Sequence, residues 1–203
     1  MLSPDGRIAG QYDKVHLVPY GEYVPLRRFF PFISKLVVGI GDFRSGKGYE
    51  PLLIYKNGDQ QKLGVMICYE GILPEAGRTY RQRGAGLLVN ITNDAWFGNT
   101  SAPYQHLSMT VFRSVENRLY LVRAANTGIS AIIDPTGKIV TRSGLFEKSA
   151  LQGTIRFMDM KSFYSIYGDL FVYGCMMGLI LILVISIKKR SRRYDGRITG
   201  KPQ

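Results

Sequence analysis

Cys68 closes the apolar, β-prone run Gly64-Val65-Met66-Ile67, and the carboxylate of Glu70 follows two residues later. A cysteine delivered from a strand end into the start of a helix is well placed for nucleophilic chemistry, because a helix N-terminus stabilises a thiolate. The competing reading is a small buried core cysteine. Three further regions carry groups able to do chemistry. Lys14 and Glu22 lie in the Pro-, Gly- and aromatic-rich stretch Tyr12–Pro25. Asn90-Ile91-Thr92-Asn93-Asp94-Ala95-Trp96-Phe97-Gly98 and Arg123-Ala124-Ala125-Asn126-Thr127-Gly128 each continue an apolar run. Taken singly, Lys14 reads as a surface charge, Glu22 as a turn cap, Trp96 as a core or interfacial residue and Asn93-Asp94 as a turn.

The elements that must position these groups follow from hydrophobic pattern and turn signals. Strands are predicted over Pro51–Tyr55, Lys62–Ile67, Gly86–Ile91, Leu119–Ala125, Ser130–Asp134 and Lys138–Arg142. Helices are predicted over Arg27–Val38, Leu73–Arg83 (ended by Gly84) and Ser101–Arg118, the last with Gln105, His106, Met109, Phe112, Arg113 and Glu116 at helical spacing. Strands alternating with helices, with hairpins interposed, give an α/β fold with a mixed sheet. In such a sheet ligands gather beyond the C-terminal ends of parallel strands. Cys68, the Asn93–Trp96 loop and Asn126 are therefore expected to converge there. Pro4-Asp5-Gly6 reads as a hairpin turn with Arg7–Tyr12 as its outgoing strand, which predicts that the fold's incoming strand precedes Met1.

Leu170–Ile187 holds no charge over eighteen residues, near the lower limit for crossing a membrane. Phe163, Tyr164 and Tyr167 precede it as an interfacial belt would. After it come Lys188, Lys189, Arg190, Arg192, Arg193, Arg197 and Lys201 against Asp195 alone, which is half of the chain's net charge of +12. A basic run directly after an apolar helix favours a membrane surface over nucleic acid, and it places the C-terminus on the cytoplasmic side. The preceding domain is then periplasmic in a Gram-negative host. Met1–Gly6 does not read as a signal peptide, so export requires something upstream. Cys175 lies inside the apolar run, so a disulfide with Cys68 is not expected. Neither His16 nor His106 has metal-ligand spacing, no Gly-rich phosphate loop is present, and no metal or cofactor is expected.

Together, the segments Tyr12-Asp13-Lys14-Val15-His16-Leu17-Val18-Pro19-Tyr20-Gly21-Glu22-Tyr23-Val24-Pro25 and Ile67-Cys68-Tyr69-Glu70 resemble the nitrilase, or carbon–nitrogen hydrolase, superfamily. Asn93-Asp94-Ala95-Trp96-Phe97-Gly98, Gln105-His106 and the terminal apolar helix resemble its apolipoprotein N-acyltransferase branch, C-terminal portion. The resemblance covers residues 1–187. It implies a partial nitrilase-like α-β-β-α sandwich over residues 1–160, a transmembrane helix with an interfacial lead-in over 161–187, and a basic cytoplasmic tail over 188–203.

It also implies catalysis by Cys68 and Lys14, with Glu22 and Glu70 as additional active-site acids and Tyr69 and Trp96 in substrate contact. The superfamily's first glutamate lies N-terminal to the lysine segment, and no residue of this chain matches it. The implied reaction is acyl transfer from a phospholipid, through a Cys68 thioester, to the N-terminal amine of a lipid-modified apolipoprotein at the bacterial inner membrane. The alternatives are a membrane-anchored amidase or nitrilase-type hydrolase, and an inactive fragment. For residues 1–203 alone, low stability or low activity is expected.

Overall fold

The computed structural model describes residues 1–3, 5–23, 43–56 and 58–198. One six-stranded sheet runs in sequence order through β1 (Leu52–Lys56), β2 (Asp59–Ile67), β3 (Leu87–Asn93), β4 (Tyr120–Asn126), β5 (Ala131–Ile133) and β6 (Ile139–Arg142). The three middle strands, β2 to β4, are parallel, and the outer pairings are antiparallel. This is the mixed α/β sheet expected. Helix α1 (Pro74–Gln82) joins β2 to β3, and α2 (Ala102–Asn117) joins β3 to β4. Right-handed crossovers between successive parallel strands put both helices on one face of the sheet.

Local chemistry sets the ends of these elements. Proline opens the first turn of α1 and of α2, where its missing N–H costs nothing. Gly84, at φ +89°, turns the chain out of α1. The core between sheet and helices holds Met66, Tyr80, Leu88, Leu121 and Ile133, all fully buried. Burying each such side chain stabilises the fold by about 1.5–3 kcal/mol. Gly64 lets α1 approach β2: a Cβ there would stand 2.6 Å from Cγ of Tyr80 and 2.8 Å from Cδ2 of Leu88.

Two expectations need adjustment, and one lies outside the described residues. Arg7–Tyr12 is not a strand; Leu2 and Ile8 form an isolated antiparallel bridge across the Asp5-Gly6 turn. Beyond Gly10 the chain turns to the site instead, where Tyr12 has its partner. Cys68 opens a short 3-10 turn, Cys68–Ile72, and the α-helix starts only at Pro74. The helix expected over Arg27–Val38 falls outside the described residues.

The chain divides into two compact units, Met1–Ile166 and Tyr167–Gln203. A five-residue helix, α3 (Phe163–Tyr167), precedes α4 (Leu170–Ile198). Within α4, Leu170–Lys189 has mean hydropathy 2.7 and no buried share, so by length and composition it is able to cross a membrane.

Candidate active site

β2 ends at Ile67 and hands the chain to Cys68, whose φ is +52°. A side chain in this left-handed region costs roughly 1–2 kcal/mol, so neighbouring contacts must hold it there. Gly71, one turn on, allows the required closeness: a Cβ would come within 2.9 Å of Nδ2 of Asn90 and 3.1 Å of Oγ1 of Thr110.

Glu70 is fully buried and joins the two segments that carry Lys14 and Cys68. Its Oε1 accepts from the backbone N–H of Val15 at 2.6 Å and of His16 at 2.9 Å. Its Oε2 accepts from the Tyr12 hydroxyl at 2.9 Å and from the N–H of Ile67 at 2.8 Å. Burial pushes the Tyr12 phenol far above its usual value, and Tyr80 and Glu70 add to the shift, so it remains a donor at all ordinary pH. Residues on either side of Lys14, and the residue before Cys68, are thus bonded to one carboxylate.

Lys14 extends from this loop to Glu22, with Nζ 2.6 Å from Oε1 and 2.7 Å from Oε2. The pair is partly sheltered, with side-chain exposures of 10% and 26%. Glu22 Oε2 also accepts from the N–H of Val18 at 2.8 Å, which closes the loop on itself. The 43–48 segment packs over it. Gly46 donates its N–H to the Lys14 carbonyl at 2.7 Å, and Ser45 Oγ donates to the Val15 carbonyl. Gly46 cannot bear a side chain, because a Cβ would collide with the Asp13 carbonyl. Lys14 and Glu22 are thus paired within the loop that Glu70 fastens to Ile67, the residue before Cys68.

Tyr69 and Trp96 stand differently. Tyr69 is 38% exposed, and its ring stacks on His16 with centroids 5.9 Å apart. Trp96 is 89% exposed, on the short turn Ala95–Phe97 that follows β3. The loop after β3 and the end of β4 do meet: the N–H of Asp94 donates to the Asn126 carbonyl at 3.1 Å.

Beneath the Cys68 turn lies a polar cluster that the sequence did not single out as a unit. Register sets Met66 beside Asn90 and Asn90 beside Arg123, across the three parallel strands. Arg123 is buried and forks to three elements. Nη2 lies 2.7 Å from Oδ2 of Asp94, Nη1 donates to Oδ1 of Asn90, and Nε donates to the Ile129 carbonyl at 3.2 Å. Asp94, also buried, accepts from Thr92 at 2.8 Å and lies 3.0 Å from Nδ1 of His106. Burial pushes the Asp94 carboxyl up, but His106, Arg123 and Thr92 together outweigh it and hold it below the usual carboxylate range. Burial draws the Arg123 guanidinium down, with Asp94 opposing. Gly128 abuts the Asp94 carboxylate, where any Cβ would collide. The available signal was an Asn and an Arg at core positions of strands otherwise read as apolar.

Comparisons with known proteins give the family and the fold. The carbon–nitrogen hydrolase family profile matches residues 1–164. The apolipoprotein N-acyltransferase of Geobacter metallireducens is 50% identical over 195 residues, which is 96% of this chain and 37% of that protein. That of Rickettsia typhi is 40% identical over 176 residues, 86% of this chain and 34% of that protein. The chain thus spans about a third of the length of these curated relatives. The fold is shared with the crystal structure of a carbon–nitrogen hydrolase from Helicobacter pylori (TM-score 0.50, 21% identity, 70% of this chain and 50% of that one). It is also shared with Saccharomyces cerevisiae Nit3, a nitrilase-superfamily protein (TM-score 0.50, 22% identity, 71% and 47%). The profile match over residues 1–164, on a mixed α/β sheet shared with known carbon–nitrogen hydrolases, makes this chain a member of the carbon–nitrogen hydrolase family.

Proposed function

We propose that the chain carries the thiol half of a lipoprotein N-acyltransferase site. The observation behind this is the four-donor Glu70 carboxylate, which ties the loop of Lys14 to the strand end of Cys68. The names of the curated relatives supply the substrate class. In the first step the Cys68 thiolate adds to the carbonyl carbon of a phospholipid acyl ester. An S–C bond forms, and the Lys14 ammonium stabilises the oxyanion. The ester C–O bond then breaks, and the lysophospholipid leaves as a protonated alcohol. In the second step the N-terminal amine of a lipid-modified apolipoprotein attacks the thioester. An amide forms, the C–S bond breaks and the thiol is restored.

In this reading Glu22 orients the Lys14 ammonium, and Glu70 is a positioning residue. The thiol proton is taken by the glutamate that the family resemblance places ahead of Lys14. Tyr69, in the Cys68–Ile72 turn, and Trp96, on the loop after β3, are exposed and contact the acyl chain or headgroup. Residues 1–160 form the catalytic domain on the periplasmic side of the inner membrane, 161–187 the membrane segment, and 188–203 the cytoplasmic tail. Both substrates reside in a bilayer, so an anchored site meets them at high effective concentration. An amidase-type hydrolase shares Cys68 and Lys14 and differs in its acceptor, water.

Intact mass of the detergent-purified chain after incubation with phospholipid vesicles tests the first step. A hydroxylamine-labile acyl adduct is expected on the parent and absent from Cys68→Ala. If residues 1–203 give no adduct, the test is repeated with the upstream segment joined. Absence there too overturns the reading.

A further inference from the structure

Cys68 occupies a backbone conformation that its neighbours must enforce, and the enforcing groups converge on its carbonyl oxygen. His106 Nε2 stands 3.3 Å from that oxygen and Asn90 Nδ2 stands 3.4 Å from it. Both side chains are held from behind by the Arg123–Asp94 pair. Arg123 can only donate, which fixes the Asn90 amide with its oxygen toward the guanidinium and its nitrogen toward Cys68. His106 Nδ1 faces Oδ1 of Asp94 at 3.0 Å and Nη2 of Arg123 at 3.1 Å.

The same face of α2 also holds the far end of the turn. Arg113, two helical turns beyond His106, donates to the Ile72 carbonyl at 2.8 Å. Thr110, between them, accepts from Arg123 at 3.3 Å and donates to the His106 carbonyl at 2.8 Å. One helix thus contacts both the first and last carbonyls of the Cys68–Ile72 turn.

We infer that His106 is a positioning residue for the nucleophile: its Nε2–H donates to the Cys68 carbonyl and, with Asn90, holds Cys68 in its left-handed conformation. A carbonyl oxygen only accepts, so the hydrogen bond requires a proton on Nε2. Nδ1 meets an acceptor in Asp94 and a donor in Arg123, so the ring is oriented whether or not Nδ1 carries a proton as well. The Asp94–Arg123 pair thereby sets the direction in which β2 presents the thiol. This inference rests on reading Cys68 as the nucleophile, but its geometric part is testable apart from any acyl transfer.

Two substitutions separate the two ends of the ring. His106→Asn keeps a polar group near Nδ1, facing Asp94, and loses the donor to Cys68. His106→Gln places an amide nitrogen near the former Nε2. In the full chain with Cys175→Ser, carbonyl-13C cysteine gives a single reporter at Cys68. Its resonance is expected to move upfield in His106→Asn and to stay near the parent position in His106→Gln. Acylation of Cys68 by a p-nitrophenyl ester, followed by p-nitrophenol release, is expected to slow about tenfold in His106→Asn and to recover to within about threefold in His106→Gln. A carbonyl resonance that does not move in His106→Asn, or moves equally in both variants, overturns the inference. If the parent is not acylated even with the upstream segment joined, the nucleophile reading fails, and the carbonyl shift still decides the clamp. Should His106→Asn not fold, 15N-histidine spectra of the parent decide it, with His16→Gln giving the assignment. Nε2 must be protonated, and an unprotonated Nε2 overturns the inference.

Discussion

Replacing Glu70 with alanine is expected to release the Lys14 loop from the nucleophile strand and to lower the melting temperature by about 10 °C. The carboxylate is fully buried and takes four hydrogen bonds, three of them from backbone N–H groups. Its removal leaves those donors without an acceptor. A buried donor left unsatisfied costs about 1–3 kcal/mol, offset where water enters, so the total is about 3–5 kcal/mol. At about 2–4 °C per kcal/mol for a unit of this size, that gives the stated fall. Glu70→Gln keeps the volume but sets an amide NH2 against donors, so it recovers little. The amides of Val15 and His16 report the mechanism directly. Their hydrogen exchange should rise far more than that of β3 or β4. Protection of those two amides that survives the substitution would show that Glu70 does not hold the loop.

The second large effect lies at the Asp94–Arg123 pair, in which both side chains are fully buried. Asp94→Asn strands the guanidinium without its counter-ion. Breaking one member of a buried pair costs about 3–5 kcal/mol. The loss depends on pH in a defined direction. The native Asp94 carboxyl lies below the ordinary range, whereas the unfolded value is about 3.9. The unfolded state therefore takes up the proton first as pH falls. The stability this group contributes is complete above about pH 4 and is lost as pH drops through the lower native value. Denaturant titrations should show parent and variant far apart at pH 7 and converging at strongly acid pH. A gap that does not change with pH would mean that the carboxylate's charge is not what stabilises the cluster.

Much of the sheet could be read from the sequence, because apolar runs bounded by Gly, Pro and Asn have few other uses. Leu87–Asn93, Tyr120–Asn126, α1 and α2 lie within two residues of their expected bounds. The turn at Cys68 was harder to read. A strand followed by a proline-initiated helix gives no hint that five residues between them form a 3-10 turn around a buried glutamate. The stretch Tyr12–Tyr23 carries Lys14 and Glu22 without periodicity, and its placement depends on contacts distant in sequence, such as Val15 with Glu70. The cluster of Asn90, Asp94, His106 and Arg123 was hidden for another reason. Polar residues at core positions are anomalous singly and become intelligible only once strand register sets them side by side.

The most direct test of the central claim is the fate of a preformed Cys68 acyl adduct when a diacylglyceryl-cysteine peptide with a free N-terminal amine is added in detergent. Mass spectrometry should show loss of the adduct matched by N-acylated peptide, with little free fatty acid. Adduct that decays to free acid at the same rate with and without the peptide would contradict acyl transfer and leave a hydrolase.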